Sequence, residues 1–175
     1  MVKNGQIVFC SASSGVAAIL LHDGATAHSS FKIPIHLHES SSCKIELHSS
    51  LGDLFATQNV LCIWDEAPMI SQYAPEALDR TLQDLRKNNH WFGGITMVFG
   101  GDFQQVLPVI PKGSREMVVH ATFCKSPIWR DLTVFYLTWN MCLENGANPE
   151  VRQFAEWLLD VGHGCNQHST THVKL

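Results

Sequence analysis

The chain alternates short apolar runs with amphipathic stretches. Four runs are rich in β-branched and aromatic residues: QIVFC at 6–10, VLCIW at 60–64, ITMVF at 95–99 and TVFYLT at 133–138. The first three are continuous rather than alternating, which predicts strands covered on both faces, as in a parallel sheet. Helical periodicity lies between the runs. GVAAILLH, residues 15–22, predicts a short apolar helix capped by Ser13 or Ser14 and stopped near Gly24. Ala74, Ala77, Leu78, Leu82 and Leu85 recur at i, i+3/i+4 spacing and predict a helix from about Ser71 to Arg86, with Pro75 tolerated in its first turn. A last helix has Asn148 to cap it, Pro149 to open it, Gly162 to end it, and a stripe of Val151, Phe154, Ala155, Leu158 and Leu159. Residues 32–52, rich in Ser and His, predict a long loop, and residues 163–175 an unpatterned tail. Strands alternating with helices predict an open α/β sheet, with ligands beyond the C-terminal ends of its strands.

Composition narrows this picture. At 175 residues, 45% apolar and only 16% charged, the chain is long enough for one domain with a core and is not a disordered segment. A net charge of −4 excludes a binder driven by overall positive charge, though not a local groove. No apolar run approaches the roughly 18 residues of a membrane span. The 6 cysteines are scattered without a C-x-x-C pair, and Cys10 and Cys62 sit inside apolar runs. They read as reduced, mostly buried thiols of an intracellular protein.

Candidate chemistry concentrates where the strands end. VLCIW runs straight into Asp65-Glu66-Ala67-Pro68. Two carboxylates at the end of a buried strand are costly unless paired or bound to a cation. In phosphate-hydrolysing α/β proteins the first acid holds Mg²⁺ and its neighbour orients or activates water; the plain alternative is two acids favoured at a helix start. ITMVFGGDFQQ ends the same way, on Asp102, Gln104 and Gln105. An amide there has the reach to bond a γ-phosphate or its attacking water. Glycines 100 and 101 allow a close backbone approach or a tight turn. The third stretch, SASSGVAAILLHDGATAHSSF at 11–31, sets small hydroxyl residues and Gly15 at a helix start, suited to a nucleic-acid phosphate or to plain capping. No G-x-x-x-x-G-K-S/T loop occurs in these residues. His36-Leu37-His38-Glu39 and Cys165…His168…His172 have possible zinc spacing, but the first lies in a polar loop and the second in the tail; no stable zinc is expected.

Taken together these blocks resemble the motor core of the Pif-type (petite integration frequency) helicases of superfamily 1, and most of all the forms of plants and Helitron-type elements. The resemblance covers about residues 6–162. It rests on ASSGVAAILLHDGATAHSSFKIP, IWDEAPM, EALDRTLQDLRK…FGG, GGDFQQVLPVIPKGSRE, LTWNMCL and WLLDVGHG. It implies a partial RecA-like domain over residues 1–162 with a tail at 163–175. The strand and phosphate-binding loop that the family carries ahead of QIVFC are not among these residues. The implied function is ATP hydrolysis coupled to 5′-to-3′ unwinding of DNA in repair, recombination and telomere maintenance, in the nucleus. The implied cofactors are ATP and Mg²⁺, and the implied partner is single-stranded DNA. By the same resemblance Asp65 holds Mg²⁺, Glu66 activates water, Gln105 senses the γ-phosphate, and Ser13, Ser14, Gly15, Thr26, His28 and Ser29 line the DNA path. The strand ends place Asp102 beside the acids and Gln105, and the helix beginning near Ser14 and the Thr26–Ser29 loop are expected to face one common groove apart from the carboxylates.

Two departures define a rival reading. Where the family has N-M-R the chain has Asn140-Met141-Cys142, and Gln104 stands where an arginine is common. With the phosphate loop also outside these residues, the rival is a truncated, inactive helicase relative that at most binds single-stranded DNA or a protein partner.

Overall fold

Two parallel strands form the centre of the fold: β2 (Gln6–Ala12) pairs with β4 (Val60–Asp65) from Ile7 opposite Val60 to Ala12 opposite Asp65. On the other side of β4 lies β5 (Thr96–Phe99), also parallel, with Trp64 opposite Phe99. The short β3 (Ala25–Thr26) runs parallel to the end of β2, and β1 (Val2–Lys3) is antiparallel to its start. The computed structural model describes residues 2–3, 6–57, 59–103, 105–138, 141–143 and 148–162, and divides into two units, Met1–Leu132 and Thr133–Leu175.

Burial alternates along β4. Val60, Cys62 and Trp64 are buried, while Leu61, Ile63 and Asp65 are half-buried. Register puts Ile7, Phe9 and Ser11 of β2, and Met97 and Phe99 of β5, on the buried side. There they meet the apolar stripe of α4 (Tyr73–Arg86), Phe55 of α3 (Ser50–Thr57), and Phe31, Phe92 and Phe123. The continuous runs predict cover on both faces. Among the described residues the buried cluster lies on one face, and Val98 on the other is 47% exposed. Apolar continuity marks residues able to be buried, whereas packing partners decide which face is.

Other expectations shift for local reasons. Residues 133–138 form no strand, and Phe135 and Tyr136 are 85% and 82% exposed. A strand needs a neighbour's edge as well as β-rich residues. The expected loop at 32–52 already contains the start of α3, where Ser49 Oγ accepts from Gly52 N–H at 3.0 Å. The loop itself is pinned to α4: Arg80 donates to Ser41 O at 3.0 and 2.6 Å, and Cys43 N–H donates to Thr81 Oγ1 at 2.9 Å. Burial pushes the thiols of Cys43 and Cys62 up to about 12, as inert core groups require. In the second unit α5 (Pro149–Gly162) has its expected bounds, with Glu150 N–H donating to Asn148 Oδ1 at 3.3 Å. Its stripe is exposed, with the Phe154 and Trp157 rings stacked at 5.7 Å. The tail at 163–175, with Cys165, His168 and His172, lies outside the described residues, as do Gln104, Asn140 and the side chain of Cys142.

Candidate functional site

Because β2, β3, β4 and β5 are parallel, their C-terminal ends emerge along one edge. Backbone bonds tie these ends together. Ser13 N–H donates to Asp65 O at 3.0 Å, Gly100 N–H to Trp64 O at 2.9 Å, and Ala67 N–H to Gly100 O at 2.9 Å. Asp65, Glu66 and the Gly100–Asp102 turn are thus neighbours, as two polar strand ends predict.

The carboxylates are held in an uncommon way. Asp65 Oδ1 accepts from Glu66 N–H at 2.9 Å, which fixes one oxygen of the first acid. Glu66 then turns the chain with φ 54° and ψ 36°, a left-handed conformation that costs a non-glycine residue about 1–3 kcal/mol. Its Oε2 is buried with no hydrogen-bond partner. A strained backbone carrying a carboxylate with a buried, unpartnered oxygen stabilises nothing by itself, and such sites cluster where a ligand binds.

The two glycines after β5 make room for this corner. A Cβ on Gly100 would lie 2.8 Å from Asp65 Oδ1. At Gly101, φ is +150° and a Cβ would lie 2.2 Å from Pro68 Cδ. Asp102 and Gln105 follow on the surface, with Gln105 donating from N–H to Asp102 O at 3.2 Å and from Nε2 to Asp102 Oδ2 at 3.4 Å. Their exposed positions leave both able to meet a ligand.

The hydroxyl block divides. Ser14 Oγ caps α1 (Gly15–Leu20), accepting from Ala17 N–H at 3.1 Å. Thr26 Oγ1 caps α2 (Ala27–Ser30), accepting from Ser29 N–H at 3.4 Å. Gly15 and Ser29 are exposed, and His28 is half-buried, its pKa pulled below the ordinary 6.5 by burial. Ser13 lies beside the carboxylate corner. Its N–H is bonded to Asp65 O, because the β2–β4 register delivers both residues to the same point.

The pattern of the PIF1-like helicase family matches residues 1–172. The chain belongs to that family. It is 34% identical over 161 residues to the ATP-dependent DNA helicase Pif1 of Psychrobacter sp., covering 91% of this chain and 24% of that protein. With the ATP-dependent DNA helicase RRM3 of Saccharomyces cerevisiae it shares 32% identity over 128 residues, 71% of this chain and 17% of that one. The crystal structure of Pif1 helicase from Bacteroides in complex with ADP-AlF3 and ssDNA matches with a TM-score of 0.68 at 24% identity, over 92% of this chain and 37% of that chain. The fold is accordingly the RecA-like α/β arrangement of Pif1 helicases. The chain spans about a sixth to a quarter of the length of these two curated relatives.

Two residues of this PIF1-like chain that sequence reasoning passes over shape the site. Trp64 looks like a strand residue of the core, yet its indole Nε1–H donates to Ser13 Oγ at 3.0 Å. A buried tryptophan needs an acceptor, and that need was the available signal. Asp79, buried within the α4 stripe, accepts from Phe92 N–H at 2.5 Å and from Gln83 Nε2 at 2.9 and 3.0 Å. Arg86 Nε and Asn88 Nδ2 both donate to Gly93 O, at 2.8 and 3.2 Å. These side chains, from α4 and the residues just after it, thereby hold the left-handed Phe92–Gly93 turn from which β5 starts. An acid flanked by core positions was the sign to follow.

Proposed function

We propose that this chain is the portion of an ATP-dependent DNA helicase that couples nucleotide hydrolysis to single-stranded DNA. The observation that carries the reading is Glu66: a strained backbone and a buried, unpartnered Oε2 next to Asp65, at the C-terminal edge of a parallel sheet. In this reading Glu66 takes a proton from the attacking water, its lone oxygen being the acceptor left unused. Gln105, with Asp102, faces the γ-phosphate. Asp65 suits Mg²⁺, since Oδ1 is fixed by Glu66 N–H and the Gly100 turn leaves its carboxylate uncrowded. Among the described residues no three His, Cys, Asp or Glu side chains converge on a metal position, so phosphate and water oxygens would supply the remaining ligands. Bound there, Mg²⁺ would neutralise charge developing on the phosphates.

Ser13, Ser14, Gly15, Thr26, His28 and Ser29 line the path of the DNA in the same proposal. Movement along it is 5′ to 3′, and the biological setting is DNA repair, recombination and telomere maintenance in the nucleus. The second reading, binding without turnover, is favoured by one feature: these 175 residues hold no loop of backbone N–H groups and lysine for a triphosphate. Anisotropy of labelled single- and double-stranded oligonucleotides tests the proposal. Weak binding to single strands, lost at moderate salt, is expected from so few cations. Equal affinity for both forms, or indifference to salt, contradicts it.

A further inference from the structure

Trp64 is fully buried, with its ring centroid 5.4 Å from Phe31 and 6.0 Å from Phe99. A phenylalanine would serve such packing, and it carries no polar atom to satisfy. The indole instead brings an N–H into the core and spends it on Ser13 Oγ, 3.0 Å away at the half-buried start of the β2–α1 turn.

That bond sets Ser13 apart from the other hydroxyls of its block. Ser14 and Thr26 accept from the backbone of their own helices. Ser13 accepts from a rigid, buried ring, and its own N–H is committed to Asp65 O. A hydroxyl has one proton and two lone pairs. With one lone pair held from the core side, the proton of Ser13 is turned away from the indole, and no acceptor among the described residues takes it.

We infer that Trp64 is a positioning residue: its indole N–H orients the Ser13 hydroxyl as a donor to a phosphate oxygen of single-stranded nucleic acid. The inference rests on the nucleic-acid reading of residues 13–29. It adds a route from the DNA to the hydrolysis corner, since Trp64 immediately precedes Asp65 and packs on Phe99, the residue before Gly100.

A double-mutant cycle on the 175-residue chain tests it, using anisotropy of a labelled oligothymidylate. Trp64→Phe keeps an aromatic ring and Ser13→Ala removes the hydroxyl. Each is expected to weaken binding roughly 5-fold, the worth of one hydrogen bond, and the double variant to be no weaker than either single. The slope of log affinity against log salt should stay unchanged, because no cation has been removed, whereas general loosening of the site would move it. A folded Trp64→Phe chain that binds like wild type overturns the inference, as do single effects that multiply in the double. Wild type that binds no single strands at all overturns the nucleic-acid reading and this inference together. Should Trp64→Phe fail to fold, exchange of the Trp64 indole proton followed by NMR decides between wild type and Ser13→Ala. Slow exchange that quickens in Ser13→Ala, together with the 5-fold loss in that variant, supports the inference; equal exchange overturns it.

Discussion

The Phe92 N–H donates to Asp79 Oδ1 at 2.5 Å, so that a buried acid of α4 holds the left-handed turn that launches β5. The bond spans two elements whose packing positions the Gly100–Asp102 turn against Asp65. Asp79→Ala would leave the Phe92 N–H buried and unpaired, and should cost about 1–3 kcal/mol of stability. Urea unfolding followed by tryptophan fluorescence measures it, and an unchanged midpoint would sink the assignment.

Asp79 also predicts a pH dependence. Burial raises its pKa above the ordinary 3.8, against the lowering effects of the Phe92 N–H, Gln83 and Arg80. The folded chain therefore holds this proton more tightly than the unfolded chain does. Its stabilising contribution is full below the ordinary value and is lost as pH rises through the raised one. Compared with the non-titrating Asp79→Asn, wild type should lose melting temperature from about pH 4 upward. The opposite trend would mean that the hydrogen bonds outweigh burial.

The two glycines of the corner should separate stability from site geometry. Gly101→Ala drives a methyl into Pro68 at a φ that side chains rarely adopt, and should destabilise by about 2 kcal/mol or more. Gly100→Ala meets only Oδ1 of the Asp65 carboxylate, which moves aside at the cost of its bond from Glu66 N–H. It should leave the unfolding midpoint within about 1 kcal/mol of wild type while displacing that carboxylate. Chemical denaturation of both, with side-chain NMR of the aspartates, distinguishes the outcomes.

Glu66→Gly should make the chain more stable, by about 1 kcal/mol. It removes the strain of a left-handed non-glycine residue and a buried unpartnered oxygen, partly offset by the greater freedom of glycine when unfolded. A loss of stability would show that the Glu66 side chain contributes packing that outweighs its strain.

Purified by itself, this chain should release no measurable phosphate from ATP. Positioning of the reacting groups is worth ~7–11 kcal/mol, and no loop in these residues cradles the β- and γ-phosphates. Phosphate release with single-stranded DNA present, compared with Glu66→Gln, is the measurement. Turnover that requires ATP and Mg²⁺ and disappears in the variant would refute the expectation.

Much of the local structure was legible from spacing. The runs at 6–10, 60–64 and 95–99, the α4 stripe and the Asn148-Pro149…Gly162 signals all predict the elements that form, because each depends on residues within a turn or two of one another. Strand ends carrying Asp65-Glu66 and Gly100-Gly101-Asp102 could likewise be read as one edge, since a parallel sheet brings like ends together. The sequence did not determine which strand lies beside which, which face of the sheet is covered, or whether residues 133–138 find a partner. Strand order and register decide those, and a slip of one residue along β4 would exchange the faces on which Trp64 and Asp65 lie. Only the assembled sheet sets Trp64 against Ser13, 51 positions away, and Asp79 against Phe92, 13 away, since pairing at such distances depends on the packing of whole elements rather than on neighbouring side chains.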